Sequence, residues 1–156
     1  NWIDPTFGRV GATTHMGENT LAIFGADPEG QPQNAWKVVR EVTLPAAGSL
    51  FLKTHPASPW VVADMTLATD TKAMRQLCAY GKQAGKIDHC FEVTTRGKVV
   101  HPEFNRAGDE IWVSVWDTDG ELVVYDSTSL AEKARITGLK TPTGKFNVYN
   151  TAHDVY

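Results

Sequence analysis

The sequence lacks the features that mark several common classes of protein. No apolar run in its 156 residues approaches the roughly 18 residues that a membrane-spanning helix needs. It has no glycine-rich phosphate loop, no Gly-x-Ser-x-Gly motif and no His-Glu-x-x-His motif. Its formal net charge of −3 argues against nucleic acid as a partner, because nucleic-acid-binding surfaces are usually basic. The sequence therefore predicts neither a membrane partner nor a nucleic-acid partner.

Cysteine is also scarce, with only Cys78 and Cys90 present. No Cys-x-x-Cys or Cys-x-x-Cys-His occurs, so the sequence encodes neither that type of zinc site nor a covalently attached c-type haem. The two cysteines are symmetric about a turn at residues 81–86, and a hairpin centred on Ala84 would place them opposite each other. They would then form a disulfide in an oxidising compartment, or remain two small apolar side chains in the cytosol. Both outcomes stay open at this point.

Helical signals are nearly absent, and short apolar runs of period two, rich in Val, Ile, Phe and Trp, take their place. Gly, Pro, Asn and Asp separate these runs. The pattern predicts an all-β protein. Twelve strands are expected, at residues 11–15, 20–24, 36–42, 49–53, 60–64, 75–80, 87–93, 98–101, 110–116, 121–126, 133–136 and 145–150.

The predicted strands repeat. His15, His55 and His101 each end a short β run that begins at or just after a Gly, and they are spaced 40 and 46 residues apart. That period is typical of a β-propeller blade with four antiparallel strands. The predicted units are blades at about 11–42, 48–93 and 97–136, with a closing strand at 144–150. Three blades cannot close a propeller, so the pattern favours the C-terminal part of a larger one over the alternative, a small β-sandwich.

The three histidines have two interpretations. The first strand of each blade lines the central channel of a propeller, which would place His15, His55 and His101 at one end of that channel. Alternatively, each histidine could bond a turn within its own blade, as the His-Pro pairs at 55–56 and 101–102 suggest. The residues alone do not decide between the two.

Several segments resemble the haem d1 domain of the cytochrome cd1 nitrite reductase family. They occur in the family's order, cover most of the chain, and match less well only over about residues 66–96. They are Ala12-Thr-Thr-His-Met-Gly17, Asp27-Pro-Glu-Gly30 with Ala35-Trp-Lys37, Gly48-Ser-Leu-Phe-Leu-Lys-Thr-His-Pro56, residues 102–116 and residues 141–156.

The resemblance implies an eight-bladed propeller with haem d1 in its central channel. It assigns the pocket wall to Phe51, Trp116, Thr143 and Gly144, and it places the iron ligands in blades upstream of Asn1, so no metal ligand is expected here. It further implies a domain with haem c upstream, a periplasmic location and a periplasmic electron-transfer protein as partner, and it allows a homodimer.

One departure from the family pattern concerns His101. The nitrite reductases have Gln in this motif, where the present sequence has Val99-Val100-His101-Pro102-Glu103. The family includes dihydro-haem d1 dehydrogenase, which converts a propionate of the haem d1 precursor into an acrylate. An imidazole can take up a proton in such a reaction and an amide cannot, so His101 is the candidate catalytic and haem-contacting residue. The sequence favours the dehydrogenase. The alternatives are the nitrite reductase, which makes nitric oxide, and a propeller binding module without catalysis.

Overall fold

A computed structural model describes residues 1–143, which form three four-stranded antiparallel sheets in chain order. The first sheet contains β1 (Trp2–Asp4), β2 (Gly8–Thr14), β3 (Thr20–Gly25) and β4 (Val38–Thr43). The second contains β5 (Leu52–Thr54), β6 (Trp60–Asp64), β7 (Gln76–Gly81) and β8 (Lys86–Glu92). The third contains β9 (Lys98–Phe104), β10 (Glu110–Trp116), β11 (Gly120–Asp126) and β12 (Glu132–Leu139). Gly144 and the predicted strand 145–150 lie outside the described residues.

The apolar side chains form two cores, one on each face of the middle sheet. Val61 and Tyr80 of this sheet pack against the first sheet, whereas Val62 and Ala79 pack against the third. The alternation follows from the period of two along a strand, and both faces of the middle sheet are buried because each has a neighbouring sheet. Three sheets packed in succession form the blades of a β-propeller. The predicted all-β propeller is confirmed, and the β-sandwich alternative is wrong.

One edge of each sheet faces the propeller axis. β5 and β6 lie against β9, whereas the strands at the opposite edges, β4 and β8, contact each other. The strand order within the sheets therefore makes β1, β5 and β9 the inner strands and β4, β8 and β12 the outer ones. Within residues 1–143 the only helical segment is a single 3₁₀ turn at Ala73–Arg75, and none is long and apolar enough to cross a membrane.

The predicted start of the first blade is wrong. The prediction began this blade at Gly11, but its inner strand is β1, and the segment containing Gly11 is the second strand. The pattern missed β1 because the strand is only three residues long and Pro5 follows it directly. His15 consequently follows a second strand, not an inner one, so the three repeated histidines are not equivalent.

The turn interpretation holds for His55. Its Nδ1 accepts the backbone N–H of Ala57 at 3.1 Å, two residues further along the chain. The imidazole is buried against Gly108, where a Cβ atom would overlap the ring and where the backbone has a φ of +74°. His55 therefore closes the turn after β5, at the opposite end of that strand from Phe51.

The two cysteines form a disulfide. Cys78 of β7 and Cys90 of β8 are direct cross-strand partners, as the predicted hairpin required, and their sulfurs are bonded. Cys78 is fully buried in the core between the first two sheets. Of the two outcomes open from the sequence, the structure contains the disulfide.

A buried lysine lies beneath the same turn as His55. The ammonium group of Lys82 donates to the backbone oxygens of His55, at 2.7 Å, and Ser58, at 2.6 Å. Burial disfavours its charged form and lowers the pKa of Lys82 to about 8. The lysine therefore binds its proton less tightly in the folded protein than in the unfolded chain.

We expect Lys82 to make stability depend on pH above neutrality. Between about pH 8 and pH 10.5 the unfolded chain keeps the lysine proton and the folded protein loses it, so the free energy of unfolding rises with pH. The contribution is at most about 1.4 kcal/mol per pH unit. Chemical denaturation of the wild type and Lys82→Met across this range measures it, because the two buried tyrosines with raised pKa values, Tyr80 and Tyr125, are common to both proteins. Equal slopes in the two proteins would contradict the expectation.

Candidate functional site

Two of the predicted site residues meet at the inner edge of the second and third blades. Phe51 immediately precedes β5, and His101 lies within β9. Their rings are stacked, with centroids 4.4 Å apart and planes inclined by 29°. The side chain of His101 is 13% exposed. The structure thus brings together an aromatic ring and an imidazole that are 50 residues apart in the sequence.

A β-bulge sets the direction of His101. Val100 pairs with Ser114 and Glu103 pairs with Trp112, so His101 and Pro102 together face the single residue Val113. His101 has a φ of +54°, in the left-handed region that residues with a side chain seldom occupy. A bulge of this kind re-aims a side chain and is frequent next to functional sites. It also corrects a predicted boundary, because β9 continues past His101 and through Pro102 to Phe104.

The carboxylate of Asp64, at the end of β6, holds both ring-bearing segments by their backbones. Its Oδ1 accepts the N–H groups of Leu50 and Phe51, and its Oδ2 accepts the N–H of His101. Burial raises the pKa of the Asp64 carboxyl, and its hydrogen-bond donors oppose that shift. These bonds also explain why β5 begins at Leu52 rather than at the predicted Ser49: the N–H groups of residues 50 and 51 point to Asp64 instead of to a neighbouring strand.

Charged groups also lie next to His101. Its Nε2 lies 3.5 Å from Oε2 of Glu103, and the same oxygen lies 3.1 Å from Nζ of Lys53. The Glu103 side chain is 14% exposed and that of Lys53 is 36% exposed. A carboxylate beside an imidazole favours the protonated ring, and the lysine compensates the carboxylate's charge. The imidazole, the carboxylate and the ammonium group therefore form one cluster between the second and third blades.

Of the remaining predicted wall residues, Trp116 lies near the start of β9. Trp116 pairs with Lys98 and is 40% exposed. The backbone N–H of Thr141 bonds the oxygen of Asp117 at 2.8 Å, and Thr143, two residues further along the chain, is exposed. Thr66, just beyond β6, bonds the oxygen of Val99, so the ends of the second and third blades that contain Phe51 and Trp116 adjoin.

The contacts within residues 1–143 thus bring together only part of the predicted wall. Among the ring contacts of residues 1–143, none joins Trp116 to Phe51 or to His101. Gly144 lies outside the described part of the chain. Over the same residues, no group of three or more His, Cys, Asp and Glu side chains is placed to hold a metal ion.

Sequence reasoning missed three residues of this site: Lys53, Asp64 and Glu103. Asp64 carries a signal, because it is a carboxylate at the end of an apolar run, Trp60-Val-Val-Ala-Asp64, and such a group requires buried donors. Lys53 and Glu103 belong to different blades. No local pattern predicts that pairing.

Comparison with protein families gives a match over nearly the whole chain. Residues 1–151 match the family described as the Cytochrome D1 heme domain. The chain is 35% identical to a nitrite reductase of Stutzerimonas stutzeri over 176 aligned positions, which cover 100% of this chain and 31% of that protein. It is 38% identical to a dihydro-haem d1 dehydrogenase of Pseudomonas aeruginosa over 116 positions, which cover 74% of this chain and 22% of that protein. The chain therefore spans less than a third of the length of either relative.

Two solved structures are also similar to this chain. The dihydro-haem d1 dehydrogenase NirN in complex with DHE superposes with a TM-score of 0.76 and 31% sequence identity, over 89% of this chain and 27% of that one. AztD from Citrobacter koseri superposes with a TM-score of 0.57 at 15% identity, over 82% of this chain and 32% of that one. At that identity the second likeness shows the fold alone.

Proposed function

The chain belongs to the cytochrome d1 haem domain family, and from this membership we propose that it forms part of the wall of a haem d1 site in an oxidoreductase of denitrification. The observation that carries the proposal is the stacked pair of Phe51 and His101 on the inner strands, next to Lys53 and Glu103. As expected from the family, the rest of the propeller and the iron ligands would come from other parts of the whole protein.

The described residues fit such a macrocycle. Phe51 and the half-exposed Trp116 offer flat apolar surface at the adjoining ends of two blades, which suits a large, flat and mainly apolar ring. Lys53 supplies a cation for the carboxylates at the edge of the ring, since its side chain is partly exposed. Thr143 follows the turn beside Trp116 and would extend the same wall.

Within the family, we favour dehydrogenation of the haem d1 precursor. A propionate side chain, –CH₂–CH₂–COO⁻, becomes an acrylate, –CH=CH–COO⁻, with loss of two protons and two electrons. His101 would accept one of these protons, and Glu103 would stabilise the imidazolium that results. The second proton would go to solvent, and both electrons to a one-electron acceptor of the c-type cytochrome class, in two steps. The superposition with the dehydrogenase NirN supports this choice.

Nitrite reduction is the second candidate. It is favoured by the similarity to the nitrite reductase of Stutzerimonas stutzeri, which covers the whole chain. That reaction takes up one electron and two protons to convert nitrite into nitric oxide and water. In this case His101 would hold a haem carboxylate without exchanging a proton with it.

The disulfide bears on the location. Disulfides persist in oxidising compartments such as the bacterial periplasm, so the bond between Cys78 and Cys90 supports a periplasmic protein that meets a periplasmic electron-transfer protein. An upstream domain with haem c and a homodimer remain predictions from the family.

The complete protein distinguishes the two candidates directly. We expect protein incubated with the dihydro precursor and an oxidised cytochrome c to form the acrylate product, measured by chromatography and absorbance. We expect the protein loaded with haem d1 to release little nitric oxide from nitrite when reduced. The reverse result, with nitric oxide formed and the precursor unchanged, would establish the nitrite reductase in its place.

A further inference from the structure

Asp64 occupies an unusual position for a carboxylate. Its residue is 0% exposed, and it ends a strand whose preceding residues, Val61 to Ala63, belong to the two apolar cores or are fully buried. A carboxylate buried to this degree costs stability unless its oxygens are hydrogen-bonded. Within the described residues it makes no ion pair, so its partners are hydrogen-bond donors rather than cations.

These donors belong to two different blades. Leu50 and Phe51 of the second blade donate to Oδ1 at 2.9 Å and 3.1 Å, and His101 of the third blade donates to Oδ2 at 3.0 Å. The bond to His101 reaches a residue in the left-handed region, where an L-residue remains only when its surroundings fix it there. One carboxylate thus fixes the backbones of both members of the stacked pair.

We propose that Asp64 is the positioning residue for the haem-facing pair of Phe51 and His101, setting the spacing of their rings across the two blades. Asp64 accepts the backbone N–H groups of both members of the pair, so the carboxylate can position the two rings through their backbones. The geometric part of this inference stands on the contacts alone. Its consequence for turnover rests on the proposed function.

The variant Asp64→Asn tests the geometric part. Asparagine has one accepting oxygen, and its other group donates, so it cannot accept at both positions. Either His101 or the pair Leu50 and Phe51 then faces a donor. In the complete, ligand-free protein with isotope-labelled histidine, we expect the His101 ring protons to lose the ring-current shift that the stacked Phe51 causes. With the precursor bound, we expect kcat for dehydrogenation to fall by about 10²-fold, as for a displacement of about 1 Å at a reacting group.

Asp4→Asn is the matched control. Asp4 is also buried, in the first blade, and its Oδ1 accepts the N–H groups of Thr6 and Phe7 in a comparable turn. Asparagine at this position keeps one accepting oxygen for Thr6 and Phe7 and places its amide group against Arg40, so the variant removes the ion pair with Arg40. Among the described contacts Asp4 touches neither ring of the stacked pair. We expect this variant to lose stability and keep both the ring-current shift and kcat. If Asp64 had a merely structural role, Asp64→Asn and Asp4→Asn would change the ring-current shift and kcat equally when they lose equal stability. That result would overturn the proposal.

Two further outcomes separate the inference from the proposed function. Loss of the stacking shift with unchanged turnover would support the positioning role and contradict the role of His101 in dehydrogenation. An unchanged shift in Asp64→Asn would overturn the positioning role. If that variant does not fold, hydrogen exchange of the wild type decides: we expect slow exchange at the amides of Phe51 and His101, and free exchange at His101 would overturn the proposal.

Discussion

The variant His101→Gln of the complete protein should dehydrogenate the haem d1 precursor about 10²–10⁴-fold more slowly than the wild type. This range is the usual contribution of a positioned general acid or base. A glutamine amide can still hydrogen-bond a carboxylate, so affinity for the precursor should change little. Glu103 lies 3.5 Å from the Nε2 of this imidazole, where its carboxylate could stabilise the imidazolium formed by proton transfer. Stopped-flow absorbance for turnover and equilibrium titration for binding measure the two effects separately.

The control for this experiment is His89→Gln. His89 lies in the outer strand β8, is about half exposed, and its Nδ1 contacts the neighbouring Asp88. This variant should match the wild type in both turnover and affinity. A His101→Gln protein that turns over at the original rate would leave His101 as a hydrogen-bond donor of the pocket wall, and the dehydrogenase proposal would lose its main support.

Removal of the disulfide should have the second large effect, on stability. Cys78 and Cys90 are 12 residues apart, and a cross-link that closes a loop of this length stabilises a fold by about 3 kcal/mol in the chain-entropy account. Denaturation of the double variant Cys78→Ala/Cys90→Ala should therefore show a roughly hundred-fold shift of the unfolding equilibrium. The comparison is made under oxidising conditions, where the wild-type bond is intact.

The reductant control isolates the bond itself. Dithiothreitol should destabilise the wild type towards the double variant and leave the double variant unchanged. Mass spectrometry of alkylated peptides from denatured, periplasmically expressed protein checks the bond directly. Two alkylated thiols at residues 78 and 90 without prior reduction would contradict it.

The strands were predictable where a local pattern determined them. β6, β10 and β11 alternate or run apolar between clear turn residues, and their bounds follow the sequence to within one residue. The prediction failed where a single residue elsewhere in the fold decided the structure. β5 starts late because the distant Asp64 accepts the N–H groups of Leu50 and Phe51, and β9 passes through Pro102 because the bulge at His101 accommodates it.

The candidate site was predictable only through the resemblance to a family. The resemblance assigned Phe51 to the pocket wall, and the departure from the family pattern pointed to His101. The structure stacks the two rings. The histidine repeat alone gave the wrong start for the first blade. The Gly-to-His sequence pattern coincides with the second strand of that blade at His15, but with inner strands at His55 and His101. Lys53, Asp64 and Glu103 were missed because their roles arise from contacts between blades, and a pattern along one strand does not contain such contacts.

The structure of the complete protein with the dihydro precursor bound tests the central claim most directly. We predict that the His101 imidazole lies within about 3.5 Å of the saturated propionate side chain, the distance of a near-attack geometry, with Phe51 still stacked on the opposite face of the imidazole. A precursor bound with that side chain directed away from His101, towards another blade, would contradict it.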